Sequence, residues 1–238
     1  MKNRSEDITL LLDDVNSNIV MIDYEVYKAV NDIAVQSVLK PKVKSCLEHL
    51  RSCLDYFAMD IYEVINNHNP KQKVYFPYGE RIEAFKQNLN HNGLGKLAKK
   101  NKELYDVIES VQPFRSEDDW LLILCKLTNE NKHTQLTQQE RVDGIALSQN
   151  GNLLIVVDDA STVMFENLSI NEEPIGFLHI EGGQLHSSKD LSDKSIGVID
   201  WTVFGFPAFG VSVNGLLKKA LFYITDMHQK IYTILNTL

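Results

Sequence analysis

The first polar residues of the chain that could act together are Arg51, Asp55 and Tyr56. Arg51 and Asp55 are four positions apart, and Tyr56 follows directly. At about 100° per helical residue, Arg51 and Asp55 lie on one side of a helix and flank its buried stripe. They are either functional groups or an ordinary ion pair worth about 0.3–0.5 kcal/mol. The spacing leaves both interpretations open.

A second polar group follows a strongly apolar run. Asn129 and His133, with Lys132 between them, share one face if the helix continues that far. They would place hydrogen-bond donors and a titratable imidazole at one end of a helical bundle. The alternative is an ordinary helix terminus, where Lys and His favour the negative end of the helix dipole.

A third group is basic and contains Lys96, Lys99, Lys100 and Lys102. These side chains either contact phosphates or form a solvated face. The net charge of −8 argues against a surface for duplex DNA, because the phosphate backbone requires many clustered cations. Sequence motifs of P-loop, dinucleotide-binding, zinc-protease and serine-hydrolase sites are absent.

The composition is that of a globular chain of 238 residues, with 44% hydrophobic and 24% charged residues. No apolar run approaches the roughly 18 residues that a membrane span needs, so no membrane association is expected. The acidic N-terminus is unlike a secretory signal, and we expect a cytoplasmic location. The three cysteines form no CxxC motif, so the sequence predicts no disulfide framework and no zinc knuckle. No metal site and no cofactor are expected.

Hydrophobic periodicity predicts a helical bundle over residues 1–140. A first helix is expected from Ile19 to a point before Pro41, with Ile33 on its buried stripe. Spacings of three and four residues from Val43 to Val64 predict a second helix of about six turns. Shorter helices are expected at about 80–91 and 95–110, and an apolar one from Trp120.

After residue 140 the pattern is typical of strands, and we expect an antiparallel β insertion over residues 141–212. Asn150-Gly151 predicts a hairpin turn, and Gly182-Gly183 indicates a second one. Residues 213–238 form a long amphipathic stripe that predicts a C-terminal helix docking back on the bundle. The predicted class is therefore α+β, a mainly helical bundle of long antiparallel helices with a β insertion before the last helix.

Four separated stretches within residues 43–135 carry a resemblance. They are Leu50-Arg51-Ser52-Cys53-Leu54-Asp55-Tyr56, Phe76-Pro77, Val111-Gln112-Pro113-Phe114 and Leu124 to His133. In this order they resemble a family of uncharacterised bacterial proteins with LRSALDH, FPI, QPY and LNNxDKH motifs, over about residues 43–135. In that family the first stretch has the Arg-x4-His form of HEPN-type helical domains, many of which are metal-independent ribonucleases.

The resemblance implies a HEPN-like fold and a polar site that binds RNA or a nucleotide. In such a ribonuclease the His helps the 2′-hydroxyl attack the adjacent phosphate, and the Arg stabilises the developing charge. Arg51 keeps its position, whereas Tyr56 stands where the motif has His, and a phenol that titrates near ~10 is a poor general base at neutral pH. The candidate catalytic residues are thus Arg51, Tyr56 and His133, and the candidate ligand-binding residues are Asp55, Asn129 and Lys132.

Two further hypotheses accompany this one. The same polar residues would tie helices together in a structural or protein-interaction module without catalysis. A homodimer that uses the long helices as its interface is compatible with either function.

Overall fold

A computed structural model gives the structure of the chain. It describes residues 4–66, 73–133, 136–149, 152–158, 162–170, 173–181, 184–187 and 196–238. The fold is α+β, with helices in the first part of the chain, antiparallel strands after them and a long helix at the end. None of the helices in these ranges is long and apolar enough to cross a membrane.

Eight helices are formed by the described residues. Their bounds are α1 Ser5–Ala29, α2 Lys40–Ile65, α3 Ile82–His91, α4 Leu97–Lys100, α5 Lys102–Ser110, α6 Pro113–Ser116, α7 Trp120–His133 and α8 Val213–Leu235.

Along the sequence, the strands follow α7 and precede α8. Their bounds are β1 Glu140–Gln149, β2 Asn152–Asp158, β3 Val163–Ile170, β4 Glu173–Glu181, β5 Gln184–Ser187, β6 Ile196–Phe206 and β7 Val211–Ser212. The expected hairpin turns at 150–151 and 182–183 lie outside the described residues, but the strands that flank each of them pair as antiparallel neighbours.

The chain forms two compact units. The helical unit contains the residues up to Asp23, Leu39–Gln138 and Val211–Leu238, and the β unit contains Tyr24–Val38 and Gln139–Gly210.

Helix α2 forms the centre of the helical unit, where it packs against α7 and α8. The predicted ladder is confirmed from Val43 to Ile61, since its apolar positions are buried. The apolar start of α7 is buried on all sides, and the Trp120 ring stacks on Tyr223 of α8 at 5.4 Å. Burial of this kind contributes roughly 1.5–3 kcal/mol per large apolar side chain.

One expectation for the first helix is wrong. Helix α1 begins at Ser5 and ends at Ala29, so Ile33 lies beyond it and is 78% exposed. The cause lies in polar contacts that favour a turn. Asp32 accepts a hydrogen bond from the Ala34 N–H. The Ala29 carbonyl accepts from the Asp32 N–H of this turn at 3.0 Å and from the Arg141 guanidinium at 2.9 Å.

Arg141 and Gln139 organise the β unit around this turn. Arg141 also donates to the carbonyls of Asp32 and Val35, at 2.7 and 2.8 Å, and pairs with Asp143. The buried Gln139 amide bonds both backbone groups of Val38. Strand β1 lies between β2 and β6, and a second antiparallel sheet has the order β3-β4-β5.

A buried carboxylate joins three elements of the helical unit. Asp60 of α2 has no exposed surface and accepts hydrogen bonds from the Tyr232 hydroxyl of α8 and from both the guanidinium and the backbone N–H of Arg4. Arg4 also pairs with Glu63 at 2.8 Å. A buried charge is tolerated only when it is paired and hydrogen-bonded, and Asp60 meets both conditions.

We predict that Asp60→Ala lowers the free energy of unfolding by about 3 kcal/mol, because it leaves the Arg4 charge without its buried partner. Urea denaturation at neutral pH measures this loss. The matched control is Asp226→Ala, which removes an exposed ion pair with Lys230 and should cost at most about 1 kcal/mol. Equal losses in the two variants would contradict the structural role of Asp60.

We also predict that the protein loses stability as the pH falls below 6.5. Burial among Phe57 and Tyr232 lowers the pKa of His228 below its ordinary value of 6.5. The unfolded chain therefore takes up a proton first, so this contribution is present above pH 6.5 and is lost as the pH falls toward the lowered pKa. Denaturation of wild type and His228→Gln between pH 7.5 and 5.5 should show a smaller pH dependence in the variant, and identical slopes would exclude His228 as the cause.

Candidate functional site

A polar cavity of about 420 Å³ lies in the helical unit. Its walls come from α2, α3, α7 and the Val74–Gly79 segment, which is neither helix nor strand. We call it the Arg51 cavity, and its lining residues are Arg51, Asp55, Tyr75, Phe76, Tyr78, Asn88, His91, Asn92 and Asn129.

Arg51 is the cationic group of this cavity and is only 9% exposed. Its Nη1–H donates to Cys125 Sγ, and its Nη2 lies 3.2 Å from Asp55 Oδ1. Burial alone would lower the pKa of Arg51, but Cys125 and Asp55 favour the charged form and raise it. The guanidinium is therefore charged and fixed in orientation from two sides.

Tyr78 lies between Arg51 of α2 and Asn129 of α7 and contacts both. The Arg51 guanidinium lies over the Tyr78 ring at 5.3 Å, within the range of a cation–π contact. The Tyr78 hydroxyl is hydrogen-bonded to Asn129 of α7, and burial raises the pKa of this phenol. The Tyr78 carbonyl accepts from Asn88 Nδ2 at 2.7 Å. Tyr78 is thus a neutral, oriented phenol beside a fixed cation.

Side chains of the helices hold the Val74–Gly79 segment in place. The Tyr75 N–H donates to Asn92 Oδ1 at 2.9 Å, and the Phe76 N–H donates to Asp55 Oδ1 at 2.8 Å. Asp55 therefore serves two groups at once, the backbone of the segment and the Arg51 guanidinium.

Gln112 holds the far end of the segment and is completely buried. Its Oε1 accepts from the Gly79 N–H, and its Nε2 donates to the carbonyls of Pro77 and Ile108, each at 3.0–3.1 Å. A side chain at Gly79 would place its Cβ 2.4 Å from the Phe85 nitrogen, so only glycine fits this approach. The amide and the glycine together fix the position of the cavity wall.

The structure brings together three of the residues that the sequence singled out, Arg51, Asp55 and Asn129. Tyr56 is not one of the lining residues, although it is next to Asp55 in the chain. Its position follows from the helix, because residues five apart on α2 point about 140° away from each other.

The remaining expected residues have other positions. Lys132 and His133 are the last residues of α7, and their side chains lie outside the described part of the structure. Lys100 donates to the Ile65 carbonyl at the end of α2, and Lys102 pairs with Asp106. Two members of the basic stretch thus have structural partners.

Sequence reasoning missed several residues of the site. His91 ends α3 and Asn92 follows it, and both line the cavity although no sequence pattern indicated a role for them. Tyr75 and Tyr78 also line the cavity, and the sequence patterns indicated no role for them either. Spacing cannot reveal contacts between separate segments. The one available signal was Gln112, which stands in one of the stretches that carry the resemblance.

Comparisons and metal chemistry add no assignment. No family model, no curated protein and no solved structure matches this chain. Among the described residues, no group of three His, Cys, Asp or Glu side chains could hold a metal ion.

We predict that Gln112→Leu loosens the Val74–Gly79 segment, because the Gly79 N–H and the Pro77 carbonyl lose their buried partner. The expected loss of unfolding free energy is about 1–3 kcal/mol. Hydrogen exchange of the Gly79 amide should accelerate more than exchange in the centre of α2. The exposed Gln229→Leu serves as the control, and an unchanged Gly79 exchange rate in Gln112→Leu would contradict this role.

Proposed function

We propose that the helical unit is HEPN-like and that its Arg51 cavity binds a nucleotide of single-stranded RNA or a free ribonucleotide, with weak cleavage or none. One observation carries this proposal: a fixed, buried guanidinium shares a polar cavity with a partly exposed aromatic ring, Tyr75. A phosphate and a base need these two kinds of group.

The guanidinium supplies the phosphate contact. Arg51 uses one Nη1–H for Cys125 and directs Nη2 toward Asp55, so donors of its five N–H groups remain for an anion. Its partners hold the side chain in one orientation, which reduces the entropy that binding would otherwise cost. Hydrogen bonds from a charged donor in a buried position are stronger than those at an open surface.

The aromatic and amide groups supply the contact with the base. Tyr75 is 47% exposed at the cavity and offers a ring face on which a base can stack. The Tyr78 ring is engaged by Arg51, so Tyr75 is the stacking residue in this proposal. Asn88 and Asn129 contribute amides to the walls, and such groups can bond the edges of a base.

The position of Tyr56 favours binding over cleavage. Tyr56 is not among the residues that line the cavity, and a phenol is in any case a weak base at neutral pH. The motif therefore supplies its arginine to the cavity, whereas the residue in the place of its histidine is not among the lining residues.

A specific observation also favours the alternative function, a non-catalytic structural or protein-interaction module. Asp55, Asn92 and Gln112 use their side-chain oxygens to accept hydrogen bonds from backbone N–H groups of the Val74–Gly79 segment. In this alternative the Arg51–Asp55 pair is structural in the same way and binds no ligand.

We predict that the protein binds fluorescein-labelled single-stranded RNA of mixed sequence and that Tyr75→Ala weakens binding about tenfold, as expected for the loss of one stacked base. The matched control is Tyr27→Ala, another exposed tyrosine that lies outside the cavity. Fluorescence anisotropy measures both variants, and Arg51→Lys tests the phosphate contact. Incubation in excess chelator should show little or no cleavage.

Absence of RNA and nucleotide binding by wild type would overturn the proposal. Equal effects of Tyr75→Ala and Tyr27→Ala would also overturn it. If Arg51→Lys and Asn129→Ala then lower stability strongly, the structural alternative holds. Rapid RNA cleavage by wild type in excess chelator that is lost in Arg51→Lys would instead show that the protein is a metal-independent ribonuclease.

A further inference from the structure

The sheet β3-β4-β5 has one buried face and one face that carries histidine and methionine side chains. Leu178 and Ile180 of β4 are at most 1% exposed. Successive residues of a strand point to opposite faces, so His179 and Glu181 lie on the other face of the sheet. Glu181 is exposed and His179 is partly exposed, in agreement with this alternation.

Three side chains form a row across this face. His179 pairs directly with His186 of β5 on one side and with Met164 of β3 on the other. Residues directly opposite each other in antiparallel strands share a face and have Cβ atoms about 4.5–5.5 Å apart. The row Met164–His179–His186 therefore places one thioether and two imidazoles next to one another on one face.

The two imidazoles are close enough for one ion to be bound by both. Their ring centroids are 6.2 Å apart, and their planes are inclined by 36°. Two imidazoles that ligate one ion at the usual metal–nitrogen distance of about 2.0–2.1 Å have centroids at most about 6.4 Å apart. The rings thus lie just within this limit, and an ion bound by both would have a wide nitrogen–metal–nitrogen angle.

We propose that Met164, His179 and His186 form a binding site for Cu(I). Soft thioether ligands select Cu(I), and imidazole also suits copper. Cu(I) accepts two or three ligands at wide angles, whereas a structural zinc site is tetrahedral and needs four. The carboxylate of Glu181 lies 3.9 Å from His179 Nε2 and adds negative charge beside the cation.

This site is independent of the Arg51 cavity. Its three residues belong to the β unit, and the cavity residues belong to the helical unit. Absence of RNA binding would therefore not argue against the copper site, and absence of copper binding would not argue against the Arg51 cavity as a binding site.

Anaerobic titration of the intact protein with Cu(I), in competition with a chromogenic chelator, tests the proposal. The double variant His179→Ala, His186→Ala should bind Cu(I) at least about tenfold more weakly, since loss of an outer-shell partner alone costs that much. Met164 and His186 are exposed, and circular dichroism verifies that the variants remain folded. The double variant keeps all three cysteines and the other histidines, so any Cu(I) binding by those residues is still measured in it as background.

Two further variants define the ligand set. Met164→Leu should weaken Cu(I) binding but leave Ni(II) binding unchanged, and X-ray absorption should lose its sulfur contribution. His49→Ala changes a partly exposed imidazole of the helical unit and should have no effect. Equal Cu(I) affinity of wild type and the double variant would overturn the site. Tighter binding of Zn(II) than of Cu(I), with no effect of Met164→Leu, would overturn the copper assignment.

Discussion

The Val74–Gly79 segment passes through the helical unit outside any helix or strand, so side chains must satisfy its backbone groups. Buried N–H and carbonyl groups without partners are costly, and Asp55, Asn92 and Gln112 meet this requirement. The position of Tyr75 and Tyr78 depends on these bonds, and so does the Arg51 cavity that both tyrosines line. Asp55 on α2 and Gln112 after α5 therefore determine the shape of the Arg51 cavity, although the segment that they hold is distant from both in the sequence.

Helix α2 carries two buried charges that have different consequences. Asp60 is surrounded by donors from Arg4 and Tyr232, and its acceptors are used within the protein. Arg51 is also held by neighbours, but it borders a cavity and has more donors than Asp55 and Cys125 occupy. The same helix therefore contributes one charge to the stability of the fold and one to a surface that a ligand can reach.

Local patterns predicted the elements much better than the contacts between them. The ladder of α2, the apolar start of α7 and the antiparallel pairing around residues 150–151 follow from periodicity and turn chemistry, which act over a few residues. The end of α1 was missed because Arg141, more than a hundred positions away, binds the Ala29 carbonyl. Gln112 was assigned no role for the same reason, since Gly79 and Pro77, which it bonds, lie 33 and 35 positions before it and only the tertiary fold brings them together.

The geometry of α2 also limits what the Arg-x4-Tyr spacing can do. Residues four apart differ by about 40° around a helix and residues five apart by about 140°, so Asp55, not Tyr56, accompanies Arg51 at the cavity. The Asp55 carboxylate offsets much of the positive charge of Arg51 that a phosphate would meet. A nucleotide in this cavity would therefore depend on stacking and amide contacts more than on net charge, and its binding would respond only weakly to salt. Binding by the exposed lysines alone would be strongly salt-dependent, because each neutralised phosphate releases counterions.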